Sequence, residues 1–380
     1  MIIHTVKRGE SIYSIAAEYG VCPKRLGADN GLYDGRAAEG DKLIISLPSR
    51  TYTVHKYDTV EAICSRFGLN AEELMRMNTE MRGLPSVYEG QVLAVRRQEG
   101  KFGMASAIGY LYPGVKRDEL LCSLPYLDTV AICAAVLKNC EVIKAYNEEE
   151  LLSLVKAAGK AALLRVYAEG LPDDIGAAIS SMIIAAKAGG YSGIVLGGVR
   201  GDDRRRYSEF VLECKREMLN CDLSLLTEAN AGCEAEHTEY SDGCIASYDK
   251  IHLANIPSFE EGEMEAYTDF AEKYDAPRCY MEIGAFAYIG GRYITKNAAR
   301  RTAARKGARV EHNDTTLINL CGMGNGREPM VWESAENIKA RLELVSELGL
   351  MGICFDIGRV DIGDLVMLSE MFSPTPRGMR

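Results

Sequence analysis

One unit occurs twice in the first hundred residues, and this repeat limits the fold more than any other feature of the chain. HTVKRGESIYSIAAEYGVCPKRLGADNG (4–31) aligns with YTVHKYDTVEAICSRFGLNAEELMRMNT (52–79) at an offset of 48. The offset carries Val6 to Val54, Ser11 to Thr59, Ile15 to Ile63, Gly20 to Gly68, Leu26 to Leu74 and Asn30 to Asn78. Two residues are then inserted, so that Gly40 pairs with Gly90 and Leu43 with Leu93. Each copy reads as a strand (HTV, YTV), a helix-capping Ser11 or Thr59, a short helix and a closing Gly20 or Gly68. A second short helix (23–29, 71–77) and a strand (KLIIS, QVLAV) complete it. Ser and Thr suit the start because the hydroxyl accepts from an unpaired helix N–H. Gly suits the end because it tolerates left-handed backbone. The prediction is two small βααβ modules, residues 1–48 and 49–98.

The repeats resemble LysM, the lysin motif, a carbohydrate-binding module of peptidoglycan and chitin. The resemblance covers roughly residues 2–97 and rests on strand, capped helix, Gly and Asn recurring in order, twice. It implies that N-acetylglucosamine chains lie between the loop after the first strand and the loop before the second. Carried over, Gly9, Glu10, Ser11 and Ile12 with Asn30, Gly31 and Leu32 would bind in the first module. Asp58, Thr59 and Val60 with Asn78 and Thr79 would do so in the second. Backbone N–H and C=O groups would read the acetamido group, and an apolar floor would receive its methyl. One position departs from the pattern: the slot of Gly9 holds Tyr57, which either crowds the loop or adds a stacking ring. The alternative, two structural modules that no longer bind sugar, stays open, because small apolar loops also serve a tiny core.

Residues 103–380 number 278, near the roughly 250 of a single (β/α)8 barrel. Short apolar runs alternate with amphipathic helical stretches, the pattern of a parallel α/β sheet. The expected barrel strands are 105–111, 129–136, 161–167, 193–198, 223–229, 250–256, 278–286 and 352–358. Residues 290–333 read as a small α+β insertion, with a helix at 296–306 and short strands around ARVEHN, TTLINL and PMVWES. The fold class is therefore an α/β TIM barrel preceded by two βααβ modules.

This order of parts resembles the spore-associated branch of the family 18 glycoside hydrolases, barrel enzymes that cleave N-acetylglucosamine linkages in spore cortex peptidoglycan. The matching stretches are VWESAENIKARLELVSELGLMGICFDIG (331–358), ITKNAARRTAARKGARVEHND (294–314) and AGGYSGIVLGG (188–198). In that family the fourth strand ends in D-G-x-x-x-D-x-E. The Glu protonates the glycosidic oxygen and the preceding Asp orients the acetamido group, whose oxygen attacks the anomeric carbon, a substrate-assisted route. Aligned here on SGIVLGGV, those carboxylate positions hold Ser192, Gly197 and Val199. A valine has no proton to give, and acid catalysis typically supplies about 10²–10⁴ in rate. The family's last-strand Trp falls on Asp356, and the single Trp, Trp332, lies upstream. Barrel sites form at the C-terminal ends of strands, so a relocated acid would come from Glu169, Asp202, Asp203, Glu228, Glu282 or Asp356, with Asp202, Asp203 and Glu228 the alternatives to test. The expectation is a wall-binding protein with an inactive barrel; the alternative is an N-acetylglucosaminidase with a moved acid.

Composition narrows the partners. Lys+Arg 44 against Asp+Glu 54 gives −10, which excludes a sequence-independent grip on nucleic-acid phosphates. The longest clean apolar run, residues 130–137, is far short of the roughly 20 residues of a membrane span. The 12 cysteines are spread evenly without a C-x-x-C. Cys233, His237 and Cys244 are single ligands along a polar loop rather than the tight pairs of a zinc site, so neither metal nor cofactor is expected. The start reads straight into polar residues without a secretory signal. The family resemblance turns that into a placement: synthesis in a mother-cell cytosol and deposition on the spore surface, coat or cortex, with spore coat proteins as further partners.

Overall fold

Ser11 and Thr59 both cap helices, as the repeat predicts. The structure, a computed structural model of the chain, describes residues 1–97, 101–144, 146–198, 204–230, 241–247, 261–284, 287–289, 292–324 and 329–374. In the first module β1 (Ile2–Thr5) leads to α1 (Ile12–Tyr19) and α2 (Pro23–Asp29), and β2 (Lys42–Ile45) returns antiparallel to β1. The Ser11 hydroxyl accepts from the Ser14 N–H at 3.2 Å, and Gly20 closes α1 at φ 64°. The second module repeats this with β3 (Pro48–Thr53), α3 (Val60–Phe67), α4 (Ala71–Met77) and β4 (Val92–Arg97). Thr59 accepts from the Ala62 N–H at 3.2 Å, and Gly68 adopts φ 68°. Each module encloses its own miniature core, Ile12, Ile15, Leu26 and Leu43 in one, Val60, Ile63, Leu74 and Leu93 in the other.

The barrel begins with β5 (Gly103–Leu111), α5 (Arg117–Ser123) and β6 (Thr129–Lys138). A hairpin strand β7 (Glu141–Lys144) then pairs antiparallel with β6. Its two turn residues, Asn139 (φ 48°) and Cys140 (φ 66°), are both left-handed, as a two-residue turn matched to strand twist requires. There follow α6 (Glu149–Ala157), β8 (Ala161–Ala168), α7 (Ile175–Gly189), β9 (Gly193–Gly197) and α8 (Arg204–Leu219). Next come β10 (Ser224–Asn230), β11 (Gly243–Ser247), α9 (Glu261–Lys273) and β12 (Cys279–Glu282). The insertion comprises β13 (Ala287–Ile289), β14 (Arg292–Ile294), α10 (Lys296–Lys306), β15 (Val310–Asn313), β16 (Ile318–Cys321) and β17 (Met330–Glu333). Its strands form an antiparallel sheet, and α10 packs on that sheet through Ala299 and Ala303. The chain finishes through α11 (Ala335–Glu347), β18 (Gly352–Asp356), α12 (Ile362–Met371) and β19 (Phe372–Pro374).

Eight parallel strands, in the order β5, β6, β8, β9, β10, β11, β12 and β18, close as β18 pairs with β5. Inward side chains, among them Ile108, Ala131, Leu163, Val195 and Ile245, fill the barrel, and the larger apolar layer lies between strands and helices. The sixth strand corrects the sequence reading: it is β11, whereas 250–256 lies outside the described residues. The apolar run of β11 is only Cys244, Ile245 and Ala246, below the four to eight residues by which a buried strand announces itself.

The modules are tied to the barrel by buried charge. Arg300 of α10 donates to Asp41 at 2.9 Å, to the Asn30 carbonyl at 2.9 Å and to Asp361 at 3.1 Å. Lys296 pairs with Asp364 at 2.6 Å, and the Val310 N–H donates to the Glu39 carbonyl at 2.7 Å. Arg97 of the second module meets Glu370 at 3.1 Å, and Lys160 meets Glu72 at 2.8 Å. Between the modules, Thr79 donates to Asp29 at 2.6 Å.

Candidate functional site

Two regions meet the requirements for a site: the loops of the modules and the mouth of the barrel. In the first module Gly9 is exposed, and Glu10 and Ser11 are half-buried. The Glu10 carboxylate accepts from the Lys7 N–H at 2.7 Å and contacts His4 Nε2 at 2.8 Å. The backbone bond from Lys7, aided by His4, holds it below the usual carboxylate range against the pull of burial. Asp58 repeats the device, accepting from the Tyr52 hydroxyl at 2.7 Å and the His55 N–H at 2.8 Å, and these two bonds lower it likewise. Both carboxylates therefore brace their own loops, which leave Gly9 exposed and Ser11 half-buried in the first module and Tyr57 and Thr59 exposed in the second.

The other half of the expected groove has a different role. Asn30 and Asn78 are wholly buried brackets between the second helix and the last strand. The Asn30 amide donates to the Leu26 and Ile44 carbonyls and accepts from the Ile44 N–H; Asn78 does the same with Leu74 and Ala94. Leu32 belongs to the first module's core, as Ile12 does, and Val60 to the second's. Gly31 is buried so closely against Asn297 of α10 that a Cβ there would overlap the amide. Thr79 is spent on Asp29. The side chains of Asn30, Leu32, Asn78 and Thr79 thus pack the molecule instead of facing a ligand. No pattern in the sequence could have found Asn297 or Arg300 beside these loops, since the contacts join residues more than 250 positions apart.

At the barrel mouth the fourth strand ends without a carboxylate. Ser192 lies before β9, its hydroxyl donating to the Ala162 carbonyl at 3.0 Å, and Gly197 is its last residue. A Cβ on Gly197 would overlap the carboxylate of Glu228, which enters from the neighbouring β10. Glu228 accepts from Arg165 Nε at 2.5 Å, Arg165 Nη2 at 2.8 Å and the Tyr110 hydroxyl at 2.7 Å. The Arg165 guanidinium lies 5.5 to 5.8 Å from the rings of Tyr110, Tyr112 and Tyr167. Burial, then the Glu228 charge, pushes the Tyr110 hydroxyl well above its ordinary value. In each of these bonds Glu228 is the acceptor, whereas a general acid has to donate to the leaving oxygen.

The other acids are dispersed. Glu169 is exposed and pairs with Lys138 at 3.5 Å. Glu282 and Asp356 line an open cleft of about 650 Å³ with Tyr112, Glu119, Ile283 and Arg359. Asp356 accepts from the Gly358 N–H at 2.8 Å and pairs with Arg359 at 3.1 Å; burial raises it above the usual range. Val199, Asp202, Asp203, Cys233 and His237 lie outside the described residues. Cys244 faces the helix layer. Among the described residues no group of three His, Cys, Asp or Glu is placed to hold a metal ion, and no helix is long and apolar enough to cross a membrane.

Residues 4–46 and 52–96 match the LysM domain family. The chain carries two LysM domains. A curated relative, the N-acetylmuramoyl-L-alanine amidase sle1 of Staphylococcus epidermidis, is 34% identical over 110 residues, covering 24% of this chain and 33% of the relative. The membrane-bound lytic murein transglycosylase D of Escherichia coli is 31% identical over 93 residues, covering 22% and 21%. The chain therefore spans about a fifth to two fifths of the curated relatives it matches. Among solved structures, the spore cortex-lytic enzyme SleL of Bacillus cereus superposes with a TM-score of 0.74 at 19% identity, over 99% of this chain and 100% of that one. SleL of Bacillus megaterium gives 0.74 at 15% identity over 99% of both chains. A chitinase from Chromobacterium violaceum gives 0.61 at 18% identity, over 70% of this chain and 98% of its own. At these identities the likeness establishes the fold, two LysM domains followed by a closed (β/α)8 barrel.

Proposed function

We propose that this chain binds N-acetylglucosamine-containing glycan, peptidoglycan above all, through its LysM domains, and that the barrel is a non-hydrolysing platform held rigidly beside them. The observation that carries the second half is the meeting of Gly197 with Glu228. The place that a fourth-strand carboxylate would occupy is filled from β10, by a carboxylate whose partners are Arg165 and Tyr110. An ion pair fixed in this way fills and orders the mouth, with both carboxylate oxygens already engaged as acceptors. Support for the first half is the double LysM match, with the loops at Gly9–Ser11 and Asp58–Thr59 open to solvent or half-open.

A spore-surface or cortex placement rests on the SleL likeness, which runs through both LysM domains and the barrel in the same order. Spore coat proteins are then the natural protein partners. A second reading, an N-acetylglucosaminidase with a moved acid, is favoured by one observation: the cleft of about 650 Å³ beside Glu282 and Asp356. Co-sedimentation of the full chain with insoluble peptidoglycan tests the binding half. The expected result is retention that soluble chitooligosaccharide reverses; a chain left entirely in the supernatant would remove the glycan assignment.

A further inference from the structure

The loop between β3 and α3 holds a residue in a backbone conformation that its side chain disfavours. Tyr57 sits at φ 72°, in the left-handed region, where an L side chain with a Cβ crowds the following carbonyl. The equivalent residue of the first LysM domain is Gly9 at φ 84°, so the turn itself is built for glycine. The Tyr57 ring is 87% exposed, with Lys56 Nζ 5.2 Å from its centroid, so little packing among the described residues offsets the strain. An aromatic ring held in water on a strained backbone is an unstable choice for the folded chain alone, and such outliers concentrate where a ligand is gripped. The ring stands directly before Asp58 and Thr59, on the open loop of the second domain.

We infer that Tyr57 is a stacking platform for a pyranose ring of the bound glycan, so that the second LysM domain adds an aromatic face at the turn position where the first has Gly9. The inference rests on the glycan-binding reading proposed above and adds to it the one turn position at which Gly9 of the first domain is replaced by an aromatic ring. The apolar C–H face of a hexosamine suits a tyrosine ring, which brings a large rigid surface at small conformational cost and keeps its hydroxyl in water. The strain then belongs to binding: glycine would make the loop more stable and the site weaker.

The test titrates the full chain and its Tyr57→Phe, Tyr57→Ala and Tyr57→Gly variants with chitopentaose by calorimetry, with thermal unfolding in parallel. The expected result is near-native affinity for Phe and affinity weakened about tenfold for Ala and Gly, on the scale of a lost aromatic contact. Tyr57→Gly should at the same time raise the unfolding midpoint by a few degrees or leave it unchanged, which separates loss of the ring from loss of the fold. Native affinity in Tyr57→Gly, with the parent chain binding normally, would overturn the stacking role and leave the glycan reading standing. A parent chain that binds neither chitopentaose nor peptidoglycan would overturn both.

Discussion

Asn30 and Asn78 show how a residue can be legible in position while its side chain serves the fold. The offset of 48 marks both as required, and their place beside the second loop invites a ligand contact. The structure turns each amide inward, with three hydrogen bonds to buried backbone groups. Sequence spacing cannot tell these roles apart, because both need an amide at that point. Asn78→Ala should therefore destabilise the protein by about 3 kcal/mol or more, the scale of several buried backbone groups left unpaired; urea unfolding of the full chain reads it. Gly197 supplies a second prediction at this scale. Restoring a carboxylate there, Gly197→Asp, should cost about 1–3 kcal/mol as an overpacked site against Glu228, and should yield no hydrolysis because the slot of the acid still holds Val199.

Among elements, α10 is the clearest case of local and distant signals parting. Its limits are readable from Thr295, which caps it by accepting from the Ala298 N–H, and from Gly307 at φ 59°. Its partner is not readable: Arg300 is buried between Asp41 of a LysM domain and Asp361 before α12, an arrangement only the closed barrel creates. Arg300→Met should cost about 3–5 kcal/mol, since two carboxylates would stay buried without their cation. Hydrogen exchange should show protection lost first in residues 30–46. The α2 contact with the turn at 79–81 carries a pH dependence. Burial raises Asp29 from an ordinary 3.8 to about 6 and Glu80 from 4.5 to about 7. Carboxyls raised on folding contribute stability that is full below their ordinary values and is lost as pH climbs through the raised ones. The unfolding midpoint should thus rise as the buffer is taken from about pH 8 to about pH 5.5. Glu80→Gln should flatten the upper part of that rise and raise the midpoint at the alkaline end. The strand β11 marks the limit of reading at this scale, since three apolar residues between polar neighbours leave no periodicity to detect.

For the molecule as a whole, the salt bridges and backbone bonds from α10, β15, α12 and Lys160 fix the LysM domains to the barrel, so a glycan bound as proposed would meet the barrel in one orientation. The double module and the barrel were legible because repeats and alternating apolar runs are properties of the chain itself. The absence of the fourth-strand carboxylates was equally plain in SGIVLGGV. What fills their place was not, because Glu228, Arg165 and Tyr110 come from three different strands and meet only when the barrel closes. The central claim, binding without cleavage, is tested most directly by incubating the full chain with insoluble cortex peptidoglycan and following, in one reaction, the protein in the pellet and the reducing ends in solution. The account predicts a chain that pellets with the wall while reducing ends stay at the level of a no-protein control. Sustained release of reducing ends that Glu228→Gln, Asp202→Asn or Asp203→Asn abolishes would contradict it.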